Sequence, residues 1–311
     1  MDPVLSIDKG NNSMYNVTGI IVGVISIIFN GVLLYAVFAA KIYKKSIFAY
    51  FILFNSIGGF LVSLSLFQIS IFNIKLTNIN QSSNLSTICH YKTAPWIFSI
   101  NLYQYGFAAQ SIFIVTSIIT PIFYKFYLNT DVFKIISTIF IIALSSLITS
   151  SIFFGTPNNS STKYCDNFSS WTFEYILIEE ISIIIVGGSL IFAFLLGGKE
   201  MNKTNSQSSI VNAYGRIMVF SITTFLLFWG FPNFVFVVAN LINVTHENKE
   251  LITDLVVLNA SKATVPPLIF YTIKNYEINQ IVTRIPIINI LFRPIERNIN
   301  VNGSKTIRRD T

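Results

Sequence analysis

The stretch "FLLFWGFPNFVF", residues 225–236, decides how the chain folds. It carries a proline three residues after a tryptophan, inside an otherwise apolar and aromatic run. In a soluble helix that proline removes a backbone hydrogen bond and clashes with the turn before it; in a sheet it removes a ladder bond. A bilayer accommodates it, because neighbouring helices, polar side chains and water re-satisfy the freed carbonyl and the kink survives. The run therefore reads as a kinked membrane helix. Composition agrees: 52% of the 311 residues are hydrophobic and 11% charged, against roughly 25% charged in a soluble domain.

Runs of about 20 apolar residues, enough to cross a membrane, occur at 17–40, 47–72, 95–120, 133–154, 173–197, 217–242 and 251–273. The expected fold is an all-α membrane protein, a bundle of seven transmembrane helices. It divides the chain into an N-terminal segment 1–16, a membrane domain 17–273 and a tail 274–311. The first run is too long for a signal-peptide core, and Lys41, Lys44 and Lys45 follow it rather than precede it, which sends the N-terminus outside. Near the other spans Lys125, Lys134, Lys199, Lys203, Arg216, Lys274 and Arg284 fall inside, against Lys9, Lys75, Lys92, Lys163 and Lys249 outside. The net charge of +7 thus sits on the flanks of apolar runs. It forms no basic stripe of the kind that binds nucleic acid.

Glycosylation sequons support the same orientation. N-x-S/T begins at Asn11, Asn16, Asn80, Asn84, Asn158, Asn159, Asn167 and Asn243, all on segments placed outside. Asn202, Asn259 and Asn302 also match but fall inside or within the membrane. Used sites and chance matches in an Asn- and Ser-rich chain are the two readings. Cys89 and Cys165 are the only cysteines. Both lie on the oxidising side, which permits a disulfide, with two free thiols as the alternative. With two histidines besides, structural zinc and iron–sulfur sites are not expected. No Gly-rich phosphate loop and no inward-facing carboxylate pair is present, so neither an enzyme nor a bound cofactor or metal is expected.

At this point the chain resembles the rhodopsin-like G-protein-coupled receptors: seven spans, N-terminus out, and a cysteine at the third span paired with one in the second outer loop. Phe225, Phe228, Trp229 and Pro232 follow the order of that family's sixth-helix motif F-x-x-C-W-x-P, with the proline one residue late. The resemblance implies a hinge there, since a kinked helix can swing its inner end while its outer end stays packed. "VPPLIFYTIKNYEINQIVTRI" is similar to N-P-x-x-Y followed by a short eighth helix. Pro267 takes the proline position, Pro266 replaces the asparagine, and Phe270, with Tyr271 beside it, stands where tyrosine is expected. Ile278, Ile281, Val282 and Ile285 then recur at helical spacing, as an amphipathic helix on the inner leaflet that Pro286 stops. A buried helix end would give the same stripe. After the third span come Pro121 and Tyr124, but the place of the family's D-R-Y triplet is held by Phe113, Ile114 and Val115. That departure removes the usual activation lock, and with it the support for conventional coupling to a heterotrimeric G protein. "FLLFWGF", "FYTIKNYE" and "TPIFYKFY" resemble the nematode serpentine chemoreceptors, the Srsx class in particular. The resemblance implies a plasma-membrane receptor, in sensory cilia of neurons, for a small molecule or short peptide.

The upper bundle supplies Trp96, Phe98, Asn101, Trp229 and Asn233, aromatic walls with sparse polar groups of the kind that line small-molecule sites. Trp96 lies seven residues after Cys89, where the family's amine receptors keep an aspartate, so the resemblance disfavours a cationic amine. Ionisable residues within spans point to function by default. Glu179 and Glu180 are adjacent and so point about 100° apart, which lets only one face the bundle. Ligand contact or internal pairing stands against snorkelling to water. Lys262 is a partner for either, or for Asp254. It stands five residues before Pro267 rather than the seven of the retinal-binding lysine of opsins, which disfavours photoreception. A seven-span ligand-gated channel or transporter is the alternative function. The chain shows no internal repeat of the kind transporters use.

Overall fold

The structure, a computed structural model, describes residues 8–76, 85–154, 171–203, 209–242, 245–286 and 288–292. Among these the chain is helical and contains no β-strand. Its helices are α1 (Asp8–Ala39), α2 (Ile47–Leu76), α3 (Leu85–Ile119), α4 (Pro121–Phe123), α5 (Asp131–Phe154), α6 (Phe173–Lys203), α7 (Ser209–Phe225), α8 (Phe231–Leu241), α9 (His246–Lys262), α10 (Pro266–Lys274) and α11 (Tyr276–Val282). A 3₁₀ turn, Ile42–Lys44, leads into α2, and π-helical turns at Tyr124–Leu128 and Leu226–Gly230 follow α4 and α7. Helix α1 starts at Asp8, so it runs back into the segment 1–16.

Six helical stretches are long and apolar enough to cross a membrane: Tyr15–Ala39, Ile47–Asn73, His90–Ile119, Asp131–Phe154, Phe173–Lys199 and Gly215–Asn240. Their outer faces are apolar as well. In α5, Ile141, Ser145, Ile148 and Ile152 form one buried stripe at helical spacing, while Ile139, Phe140 and Leu147 are exposed. A water-soluble protein does not carry such continuous apolar surface. The protein is built for a membrane.

The expected seventh span, 251–273, is not one helix. It is α9 and α10, separated at Ala263–Val265, and neither piece has the length of the other six. Pro266 and Pro267 are the cause, because they cannot donate to the carbonyls of Lys262 and Ala263. Both orphans find substitutes. The Val265 N–H donates to Lys262 O at 3.1 Å, and the Tyr103 hydroxyl donates to Ala263 O at 3.1 Å.

Helix α3 is the centre of the bundle and touches α2, α5, α6 and α7. Where helices approach closely, a glycine makes the room. A Cβ on Gly23 of α1 would meet backbone atoms of Phe67 at 3.2–3.3 Å, and one on Gly106 of α3 would collide with Asn55 Oδ1. Small residues at helix interfaces do this in membranes, where packing rather than solvent exclusion holds helices together.

The short helix α11 is capped by Asn275, whose Oδ1 accepts from the N–H groups of Glu277 and Ile278 at 3.0 and 3.1 Å. Two expectations are corrected here. The helix ends at Val282, well before Pro286. Its apolar stripe does not lie on a leaflet either: Ile278 and Val282 are fully buried, packed with Leu33, Ala36 and Val37 of α1.

Candidate functional site

The third helix carries a polar side chain or a tyrosine on almost every turn of its buried face, an expensive choice in an apolar environment. Two polar centres result. The one nearer the start of α3 joins it to α6. Here Glu179 is 9% exposed, and its carboxyl lies beside the side-chain amides of Asn101 and Gln104. Glu180, one residue on, is only half-buried. The inward carboxylate is therefore Glu179. Next to it the Tyr105 and Ser182 hydroxyls are hydrogen-bonded to each other. Three acceptors in this centre have no partner among the described residues: Glu179 Oε2, Asn101 Oδ1 and Gln104 Oε1.

Aromatic rings close over this centre. Trp96 stacks on Trp171 with centroids 6.5 Å apart and planes at 13°, and Trp171 meets Tyr175 and Phe236 edge-on at 5.5 and 5.7 Å. The Trp96 Nε1–H donates to Ser261 Oγ at 3.0 Å, which ties α3 to the end of α9. Deeper lies Trp229, fully buried, with Tyr103, Phe107 and Phe225 at 5.7–5.9 Å. The Nε1–H groups of Trp171 and Trp229 have no acceptor among the described residues. Unmatched buried donors and acceptors are rare in folded proteins, and each calls for an explanation.

Around Trp229 the sixth segment departs from an α-helix, but not as a simple bend between Trp229 and Pro232. The irregularity is instead a π-helical turn over Leu226–Gly230, in which the Phe231 N–H reaches back five residues to Leu226 O. A π-turn holds one residue more than an α-turn. The turn ends at Gly230, and α-helix resumes with Pro232 in its first turn. Asn233 is committed to this turn, its Nδ2 donating to Trp229 O at 2.8 Å.

The second polar centre lies further along α3. Asn55 Nδ2 donates to Gln110 Oε1 at 2.8 Å, and Gln110 Nε2 donates to the Tyr271 hydroxyl at 2.6 Å, so α2, α3 and α10 share one chain of bonds. Tyr271 is the buried tyrosine of α10, while Phe270 is half-buried on a different face and stacks on Phe220. Towards the end of α3, Ile114 and Val115 pack with Ala193 and Met218 as an apolar seal. Phe113 faces α2 instead, with its ring 5.2 Å from Phe51. Pro121 opens the short α4 and is exposed, and Tyr124 packs against the group around Phe113.

Other expected site residues are not brought together. Phe98 packs on the α2–α5 side of α3, two residues and more than half a turn from Trp96. Among the described residues no ion pair joins Lys262 to Glu179 or Glu180. Asn16 is 4% exposed within α1 and accepts from Asn73 Nδ2 at 3.0 Å, which leaves no room for a glycan. Cys165, Asn80, Asn84, Asn158, Asn159, Asn167 and Asn243 lie outside the described residues, as do the side chains of Cys89 and Asn11. The sequence reading does not single out Gln104, Tyr105, Gln110, Asn55, Trp171 or Tyr175. Amides inside apolar runs are the available signal, by the argument that draws attention to Glu179.

No protein-family model matches the chain, and no curated protein sequence is significantly similar to it.

Proposed function

We propose that the protein is a chemosensory receptor of the rhodopsin-like kind, with α9 and α10 together making a seventh crossing and the N-terminus outside the plasma membrane. The observation that carries this reading is the position of the π-turn. It sets a helix irregularity at Trp229, in the same buried cluster as Tyr175, which neighbours Glu179. In this proposal a ligand that displaces the rings over Glu179 shifts the π-turn to a second arrangement, which is what signal transfer needs. Three unmatched acceptors favour a small molecule or short peptide that donates hydrogen bonds. On the inner side the apolar seal of Ile114, Val115 and Met218 stands in for a charged lock. A heterotrimeric G protein is the proposed transducer, reached without the D-R-Y triplet.

The test is second-messenger and current recording from one expressing cell line across an odorant panel, comparing the wild type with two variants. A response lost under intracellular nucleotide-analogue block supports a receptor, and a current persisting in excised patches supports a channel instead. Glu179→Gln is expected to weaken potency by about tenfold or more, the scale of one charge-assisted hydrogen bond, while reaching the surface normally. Pro232→Ala is expected to reach the surface and be silent or constitutively active. Wild-type dose–response curves from both variants would remove the proposal.

A further inference from the structure

A second feature lies on the outer surface of the bundle, away from Glu179. Helices α7 and α10 flank an open, mostly apolar groove of about 730 Å³. Phe220 and Phe270 stack across it with centroids 4.1 Å apart and planes at 12°, which fixes the register of the two helices. Helix α9 packs on α8 and on the π-turn, and α10 reaches α7, so the sixth and seventh segments run in opposite directions. Arg216 stands one turn before Phe220 and Lys274 one turn after Phe270, and both line the groove. Two cations therefore meet at one end of it. The other end is closed by Phe228 and Pro266.

We propose that this groove holds an acyl chain of an anionic phospholipid, with the headgroup bound between Arg216 and Lys274. Length supports a lipid. From Arg216 to Phe228 a helix rises about 18 Å, and one leaflet's share of the hydrocarbon core is about 15 Å. The groove wall also continues onto exposed apolar surface, with Val219 and Leu227 52% and 61% exposed. Charge selects the headgroup. Neither Arg216 nor Lys274 makes an ion pair among the described residues, and Glu277, the acid nearest Lys274 in sequence, is engaged by Lys45. The chain's own tail is an unsuitable occupant: Arg293, Arg297, Lys305, Arg308 and Arg309 outnumber Glu296 and Asp310, so its charge matches that of the groove mouth. The inference needs only that the chain lies in a bilayer, and stands or falls apart from the receptor reading.

The full chain, reconstituted in nanodiscs of equal parts phosphatidylcholine and phosphatidylglycerol, tests it by native mass spectrometry of the lipid retained on release. The wild type is expected to retain phosphatidylglycerol over phosphatidylcholine. Each cation near an anionic headgroup is worth about fivefold, so Arg216→Gln with Lys274→Gln should cut that retention about 25-fold. Thr223→Trp, which fills the groove and leaves both cations, should abolish it. Lys41→Gln with Lys125→Gln, which removes cations outside the groove, should leave it unchanged. All five positions are exposed, so folding is not at stake. Equal retention of the two lipids by the wild type overturns the proposal. So does undiminished retention by the Arg216/Lys274 variant or by Thr223→Trp. A loss with Lys41 and Lys125 as large as that with Arg216 and Lys274 also overturns it, since it would mean surface attraction alone.

Discussion

Glu179 and Glu180 show how much one residue decides in a helix. They have the same chemistry and neighbouring positions, yet only Glu179 reaches the amides of α3. The sequence limits the choice to one of the two by the 100° step; it cannot say which, because helix rotation is set by the packing of Tyr175, Ile183 and Val186 against α3. Gln110 is a stronger case of a residue acting through its bonds. One amide serves both Asn55 and Tyr271, and all three are buried. Gln110→Leu leaves two buried polar groups without partners at once. A lost interhelical bond in a membrane averages about 0.6 kcal/mol, and an orphaned group costs about 1–3 kcal/mol. Thermal unfolding of the purified protein should therefore show a clear loss for Gln110→Leu. Adding Tyr271→Phe should then cost nothing more, because its partner is already gone. Additive losses would mean that the three side chains do not form one chain of bonds.

At the scale of elements, the sixth and seventh segments are both interrupted by proline, with different outcomes. In the seventh, two successive prolines end α9, and Tyr103 supplies the donor that Pro267 lacks. A double-mutant cycle tests this link. Tyr103→Phe should destabilise the wild type by about 1 kcal/mol. In a Pro267→Ala background it should be close to neutral, since the backbone N–H that the substitution restores can serve the same carbonyl; the cycle is read by thermal unfolding in detergent. Equal losses in both backgrounds would break the link between the hydroxyl and the proline. In the sixth, the π-turn absorbs one residue. Deleting Gly230 should convert it to an α-turn and keep the rest of the helix in register, so the variant should be expressed at the surface. Deleting Ile184 from the regular part of α6 rotates everything after it by about 100° and should abolish expression. If both deletions fail alike, the extra residue is not held in the turn.

These two elements also mark how far the sequence is legible. Pro232 and the Pro266–Pro267 pair are visible as helix irregularities, and Trp229 as an aromatic anchor. The π-turn is not, because its position depends on how Phe225 and Trp229 pack against Tyr103 and Phe107 from another helix. Nor is the extent of the break at Ala263–Val265, because a proline pair fits a kink inside one membrane helix as well as a stop between two. The stripe of α11 fits lipid and protein equally well by periodicity, and only the placement of α1 decides for protein.

For the whole molecule, hydropathy carries the fold class with little loss. Long apolar runs become long helices, and their exposed isoleucines and phenylalanines form the surface that a bilayer covers. What composition does not decide is whether the polar start of α9 and the break after it still amount to a crossing. The receptor reading rests on that. Six crossings place both ends of the chain on one side, whereas seven place them on opposite sides. Epitopes fused to the N-terminus and to the end of the tail, stained on the same cells before and after permeabilisation, measure this directly. Seven crossings predict that the N-terminal epitope is stained on intact cells and the tail epitope only after permeabilisation. Both epitopes stained on the same side would contradict the seventh crossing, and the receptor reading with it.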